Sequence, residues 1–272
     1  MTDSTISEQL LRKDRLIVLA GLGLLCAISW VWIILGAGTG MSASSMSTWQ
    51  FPPPAGMKSM AMPMGWSVSY WIVMLFMWWI MMIAMMIPSA APMVLLYARA
   101  TRHAQKQGTM ESAAIPTAAF TAGYLVSWLV FSIFAVSLQW GLEKAGMVHS
   151  MMMWSTNTTL SAAFLILAGI YQLSPLKHVC LNHCRSPVEF LSRNWRKGRI
   201  GAFRMGFHHG LFCVGCCWFL MALLFAGGIM NLVWIAGLAI LVLLEKFIPY
   251  GHWFARITGA LMLAGGAVLL IG

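Results

Sequence analysis

Residues 205–244 read MGFHHGLFCVGCCWFLMALLFAGGIMNLVWIAGLAILVLL, and no Asp, Glu, Lys or Arg interrupts them. A helix needs about 20 apolar residues to cross a bilayer, so this stretch has room for two spans. Gly227-Gly228 and Asn231 near its centre predict a hinge between them. We therefore expect two consecutive membrane helices here, since a helix satisfies its own backbone hydrogen bonds in lipid.

The rest of the chain is similarly apolar. Of its 272 residues, 60% are hydrophobic and only 9% are charged, and the mean hydropathy is +0.79. A soluble domain of this length needs more charge to cover its surface, so the composition indicates an integral membrane protein. The net charge of +10 does not indicate a nucleic-acid partner, because the basic residues punctuate the apolar runs and do not form one solvated face.

The uncharged runs predict an all-α bundle of about seven transmembrane helices in one membrane domain, residues 1–272. The first run is long for a signal peptide and no convincing cleavage site follows it, so we expect a retained helix. The predicted spans are residues 16–35, 70–96, 115–140, 158–173, two spans within 204–245, and 257–271.

The basic residues predict the orientation of the bundle. With the N-terminus inside, 15 of the 17 Lys and Arg residues fall on inner segments, and only Lys58 and Lys144 fall on outer ones. Positive charge favours the cytoplasmic side, so the N-terminus is predicted inside and the C-terminus outside. The first outer loop, 36–66, is rich in Met, Ser and Pro, and the largest inner loop, 174–204, is basic and contains Cys and His.

Two features within the spans predict local geometry. Pro88 and Pro92 in the second span should kink it and leave backbone carbonyls for neighbours to satisfy. Gly206 and Gly210 stand four residues apart, a spacing that allows close packing of two helices.

Five of the six cysteines fall in two groups. Cys180 and Cys184 belong to CLNHC, and CVGCC contains the other three, Cys213, Cys216 and Cys217. The last three share one helical face, with His209 one turn earlier and Met221 one turn later. Thiolates are strong ligands for soft metal ions, although buried cysteines also pack as small hydrophobes. Cys26 stands alone in the first span, and we interpret it as packing.

Methionine is also clustered. Its neutral thioether is a soft donor that binds Cu(I) and ignores hard ions, although it also fills gaps in a core well. The second span should place its methionines at about the depth of Cys216. The candidate ligands in that span are Met81, Met82, Met85 and Met86, and the first outer loop adds Met41, Met46, Met57, Met60, Met62 and Met64.

Three further interpretations concern polar residues. Glu245 has two interpretations. It is either an acidic group inside the membrane with a functional role, or a charge at the end of a helix that pairs with the adjacent Lys246. Cys180, His183 and Cys184 would suit a structural zinc ion, although their spacing is non-standard. Disulfides are not expected there, because cytoplasmic thiols stay reduced.

The chain resembles a bacterial family of uncharacterised proteins described as predicted metal-binding integral membrane proteins. The resemblance implies a multi-pass protein of the bacterial inner membrane that binds metal, and it implies no substrate. It is carried by MMIAMMIPS at 81–89, YQLSPLK at 171–177 continuing to Cys180 and CRSP at 184–187, the stretch 210–225 with Cys-Val-Gly-Cys-Cys-Trp, MNL at 230–232, and Glu245-Lys246.

Together these patterns favour a protein that binds, transfers or transports Cu(I), with zinc as the alternative ion. The expected partners are the lipid bilayer and a copper protein or membrane complex. Two other functions use the same residues: a membrane thiol–disulfide oxidoreductase, and an assembly subunit whose Met and Cys only pack. No nucleophile–base set, phosphate loop or dinucleotide motif indicates an ordinary enzyme.

Overall fold

The computed structural model describes residues 2–40, 42–51, 65–110 and 112–271, with the backbone alone for residues 2–14. This part of the chain is all helical apart from its turns and one isolated bridge between Val148 and Ser155. Its helices are α1 Thr2–Ile34, α2 Val68–Lys106, α3 Ala114–Lys144, α4 Thr158–Leu173, α5 Pro175–Arg185, α6 Pro187–Asn194, α7 Gly198–Ala222, α8 Leu224–Gly227, α9 Leu232–Phe247 and α10 Gly251–Ile271.

The all-α membrane bundle is confirmed, and every predicted span is helical. In the described residues, five helical segments are long and apolar enough to cross a membrane: α1, α2, α3, the pair α7–α8, and α10. The pair α4–α5 makes a sixth if it is one bent span. Helix α9 has 16 residues, which is short of the usual span. The count of about seven therefore holds only roughly.

Local sequence signals explain where the shorter helices begin. The Asn157 side chain accepts a hydrogen bond from the Thr159 backbone N–H and caps α4, and Asn231 does the same for α9 through Val233. Ser174 caps α5, and Pro175 occupies its first turn. Because proline cannot continue the hydrogen bonds of α4, the chain bends there by 66°.

Glycine allows α7 to lie directly against α3. A Cβ atom on Gly206 would stand 1.8 Å from the Phe120 carbonyl oxygen, so any side chain there would push the helices apart. Gly210 likewise lies against Ser127, whose hydroxyl donates to the Phe207 carbonyl at 2.8 Å. The close packing predicted from Gly206 and Gly210 is confirmed, and it fixes the position of α7 against α3.

Pro88 frees one backbone carbonyl of α2 for a neighbouring helix, as predicted, and α2 continues as one helix through both prolines. Pro88 lacks an N–H, so it cannot donate to the Ala84 carbonyl one turn earlier. The Cys26 thiol of α1 donates to that carbonyl at 3.6 Å. Cys26 therefore does more than fill space, because its thiol donates a hydrogen bond to the carbonyl that Pro88 leaves without a donor from the helix.

The connections meet at two opposite ends of the bundle. At the predicted outer end, Asn231 donates to the Thr48 carbonyl at 3.0 Å, and the Trp66 indole donates to Glu143 at 2.9 Å. Segment 174–204, the predicted inner loop, is mostly helical: it forms α5, α6 and the start of α7. Which end faces the cytoplasm stays a prediction.

Candidate metal centre

Three thiols of α7 lie inside the bundle. Cys213, Cys216 and Cys217 are each 1% exposed, so their shared helical face points away from lipid. The sulfurs of Cys216 and Cys217 are 3.1 Å apart, and the Cys216 thiol donates to the Cys213 carbonyl at 3.2 Å. Helix α7 is held in this rotation by the glycine contacts with α3.

A fourth thiol joins them from α5. The sulfur of Cys184 lies 3.8 Å from that of Cys216, although the two residues belong to different helices. Gly215 allows α5 to lie this close to α7 because it has no side chain. A Cβ atom at this position would stand only 3.0 Å from the Cys180 sulfur. The Tyr171 hydroxyl donates to the Gly215 carbonyl. The structure thus brings Cys184 into the group, with Cys180 one turn away over Gly215. We call Cys184, Cys213, Cys216 and Cys217 the thiol cluster.

Two polar side chains from other helices contact the thiol cluster, and a third holds one of them in place. The hydroxyl of Tyr124 is 3.2 Å from the Cys213 sulfur. The Lys246 ammonium donates to the same sulfur at 3.0 Å and to the Ser89 hydroxyl at 3.0 Å. Ser89 in turn donates to the Met86 carbonyl at 2.9 Å. These contacts join α2, α3, α7 and α9 around one sulfur atom.

The methionines of α2 face the same interior. They belong to the same continuous core of buried side chains as the thiols of α7, so both groups of sulfur residues lie in the interior of the bundle. Side chains of α3 and α9 complete the connection between α2 and α7. The buried methionines of α2 in this core, each at most 1% exposed, are Met74, Met77, Met81, Met82, Met85 and Met86.

One pair of thiols has the spacing of two ligands on a single metal ion, whereas Cys216 and Cys217, at 3.1 Å, are closer than that. Two thiolates on one tetrahedral ion, with metal–sulfur bonds of about 2.3 Å, lie roughly 3.8 Å apart, which is the separation of Cys184 and Cys216. In the described part of the chain, no group of three or more His, Cys, Asp or Glu side chains is arranged so that it could hold a metal ion. Binding would therefore require the thiols to rotate from their present hydrogen bonds.

His209 does not join the thiols through a hydrogen bond or ring contact of its own. It is buried, and its ring lies 5.3 Å from Phe190 and 6.0 Å from Tyr124, centroid to centroid. Its Nδ1 atom is buried without a hydrogen-bond partner among the described residues. The structure therefore places His209 in an aromatic pocket one helical turn from Cys213.

Glu245 is buried, but its partner is not the adjacent Lys246. Its carboxylate accepts from the Lys177 ammonium at 2.7 Å and from the Gln172 amide at 2.5 Å. Lys177 is fully buried and Glu245 is 1% exposed. The interpretation as a Glu245–Lys246 pair is wrong, because adjacent helical residues point about 100° apart.

The zinc grouping on α5 is not assembled. The His183 ring stacks on Phe212 at 4.3 Å, and its Nδ1 is 3.0 Å from the Val179 carbonyl. Of the two cysteines expected beside it, Cys184 lies instead against Cys216.

In the first outer loop, Met46 is buried in the core, whereas the predictions for Met41, Met57, Met60, Met62 and Met64 lie outside the described residues.

Sequence reasoning missed the roles of Ser89, Tyr124 and Lys246 at the thiol cluster, and that of Lys177 at Glu245. It takes Lys177 and Lys246 as orientation signals, and Lys246 also as the partner of Glu245. Ser89, Lys177 and Lys246 all lie within the motifs quoted for the family resemblance, and those motifs are the signal that could have found them. Nothing in the spacing of Tyr124 distinguishes it from other aromatic residues of α3.

Fold and site together define a class: a helical membrane protein with a buried cluster of thiols beside buried thioethers. A family model described as PpoB2, copper chaperone, matches residues 75–269, a range that includes every residue of the thiol cluster. The chain belongs to this copper chaperone family, which supports the copper-related function predicted from the Met and Cys residues, whereas the description of the resembling family as predicted metal-binding proteins is not the one that the family model carries. No curated protein and no solved structure gives a significant match to the chain.

Proposed function

We propose that this protein is a membrane-embedded Cu(I) chaperone whose cargo binds at the thiol cluster. The observation that carries the proposal is the meeting of Cys184 on α5 with the three thiols of α7, at a sulfur–sulfur distance of 3.8 Å. Membership of the copper chaperone family supports copper over other soft ions. Thiolates also bind Cu(I) more tightly than thioethers do, which suits a site that retains the ion.

The methionines of α2 would supply the ion. Their thioethers are neutral, so they bind Cu(I) weakly without burying a negative charge, and they exclude hard ions. They extend along α2 from Met74 near its outer end to Met86, whose carbonyl accepts from Tyr124 at 3.4 Å beside Cys213. This series of weak donors leading to thiolates forms an affinity gradient toward the thiol cluster.

Helix α5 would release the ion. It is short, begins at the 66° bend and carries Cys184 in its last turns. Cys184 and Cys180 are only half-buried, whereas the α7 thiols are fully buried. A copper-accepting protein with its own thiol could therefore exchange ligands first with Cys184, and the direction of transfer would be from α7 to α5.

Metal analysis tests the binding step. We expect purified wild-type protein, loaded with Cu(I) and washed, to retain about one copper ion or more per chain. The Cys213/Cys216/Cys217→Ser variant should retain almost none, and Cys184→Ser should lose copper faster to a soluble chelator. Cys26→Ser is the matched control and should behave as wild type. Equal copper content in wild type and the triple variant would refute the proposal.

The close sulfurs also favour one competing function, thiol–disulfide exchange. Cys216 and Cys217 are 3.1 Å apart, and Cys184 is the next neighbour. The described cysteines are all free thiols. Trapping with an alkylating reagent separates the two functions: a redox enzyme would yield a mixed disulfide with a partner through Cys184. A chaperone would yield no mixed disulfide; its thiols would be alkylated without copper, and bound copper would protect them.

A further inference from the structure

Lys246 points in an unexpected direction for its place in the bundle. It lies in the last turn of α9, where a long basic side chain normally extends to the interface and keeps its charge in water. Its ammonium instead contacts Cys213 and Ser89, at 3.0 Å from each. Lys246 is half-buried, and holding an ammonium partly away from water is costly unless a nearby negative charge offsets the cost.

The described acidic residues do not supply that negative charge. No carboxylate among them lies within 4 Å of the Lys246 nitrogen. Glu245, the nearest in sequence, is occupied by Lys177 and Gln172 on another side of α9. The contact that remains is the Cys213 sulfur, and a cysteine sulfur is negatively charged when it binds a metal ion.

We propose that Lys246 is a positioning residue that supplies the counter-charge of the copper–thiolate complex; this rests on the proposed Cu(I) site. Two thiols release their protons to water as Cu(I) binds. The resulting complex of one Cu(I) ion and two thiolates has a net charge of −1, and the ammonium brings the total to zero. A net charge within the bilayer is costly, so the neutral assembly binds Cu(I) more tightly than the same thiols alone.

Ser89 holds the ammonium in place. Its hydroxyl hydrogen is donated to the Met86 carbonyl at 2.9 Å, so its oxygen is left to accept from Lys246. The ammonium is therefore oriented before copper arrives, at the junction between the α2 thioethers and the thiol cluster. Lys246 thus acts on the step in which the ion passes from neutral to anionic ligands.

The test measures Cu(I) affinity of the purified full-length protein in detergent, under anaerobic competition with the chromophoric chelator bicinchoninate. Lys246→Met keeps the length of the side chain and removes its charge, and we expect affinity to fall roughly 10- to 1000-fold. Lys246→Arg keeps the charge and should stay within about fivefold of wild type. Lys144→Met, at the far end of α3 over Trp140, is the matched control and should change nothing.

The outcomes separate this inference from the proposed function. If wild type fails to bind Cu(I) through its cysteines, both fall. If wild type binds but Lys246→Met binds equally tightly, or if Lys246→Arg is as weak as Lys246→Met, the counter-charge alone is refuted. Should Lys246→Met unfold, Ser89→Ala keeps the charge and loses only the anchor: a loss of roughly 2- to 10-fold supports the inference, and unchanged affinity overturns it.

Discussion

The buried pair between Lys177 and Glu245 gives a sharp prediction about what holds α5 in place. The two charges are 2.7 Å apart, with exposures of 0% and 1%. Lys177→Met leaves a buried carboxylate without its counter-ion, and this should lower the free energy of unfolding by about 3–5 kcal/mol. Glu245→Gln should cost a similar amount, because the Lys177 ammonium is then unpaired.

The double variant Lys177→Met/Glu245→Gln should recover most of that loss. It removes both charges, and the new amide oxygen can still accept from Gln172, which donates to Glu245 at 2.5 Å in the native protein. We expect the double variant within about 2 kcal/mol of wild type, so that the single losses are strongly non-additive. Unfolding by SDS in mixed micelles, followed by tryptophan fluorescence, measures all four proteins. Losses that simply add would refute the reasoning.

Three further predictions concern packing and the route to the thiols. Gly206→Leu should destabilise the protein by about 3 kcal/mol or more and abolish copper retention, because its side chain would separate α7 from Phe120; thermal unfolding and metal analysis check this. Gln139→Leu removes the acceptor of the hydrogen bond that the Trp78 indole donates at 2.8 Å. The free energy of unfolding should fall by about 1–3 kcal/mol in the same unfolding assay. Met85→Leu/Met86→Leu conserves volume, so stability should change by less than about 1.5 kcal/mol while Cu(I) loading slows; unchanged loading kinetics would show that these methionines only pack.

The fold could be read from the sequence because its signals are local. An uncharged run reveals a span wherever it occurs, and α4 begins and ends at the predicted residues, Thr158 and Leu173. The hinge at Gly227-Gly228 and Asn231 follows from turn residues in an apolar stretch. The bend after α4 is the exception: the sequence predicts a loop from residue 174 onward, whereas Ser174 and Pro175 start a new helix.

The candidate site could be predicted only in part, because its contacts join distant segments. The face shared by Cys213, Cys216 and Cys217 follows from helical periodicity. The approach of Cys184 depends on the bend before α5 and on the bare surface of Gly215. Neither feature predicts the direction of α5 from the sequence. The spacing alone therefore groups Cys184 with Cys180 and apart from the three cysteines of α7.

Adjacent charges on α9 show how the two halves of the site are coupled. Glu245 anchors α5 through Lys177, and Lys246 meets Cys213 on α7. Helix α5 also carries the half-buried Cys184. One turn of α9 therefore positions both α5, through Glu245, and the ammonium of Lys246 beside the buried thiols of α7. A rotation of α9 would disturb both contacts at once. Loss of Lys177 should therefore weaken copper retention as well as stability, although Lys177 touches no sulfur atom in the described contacts.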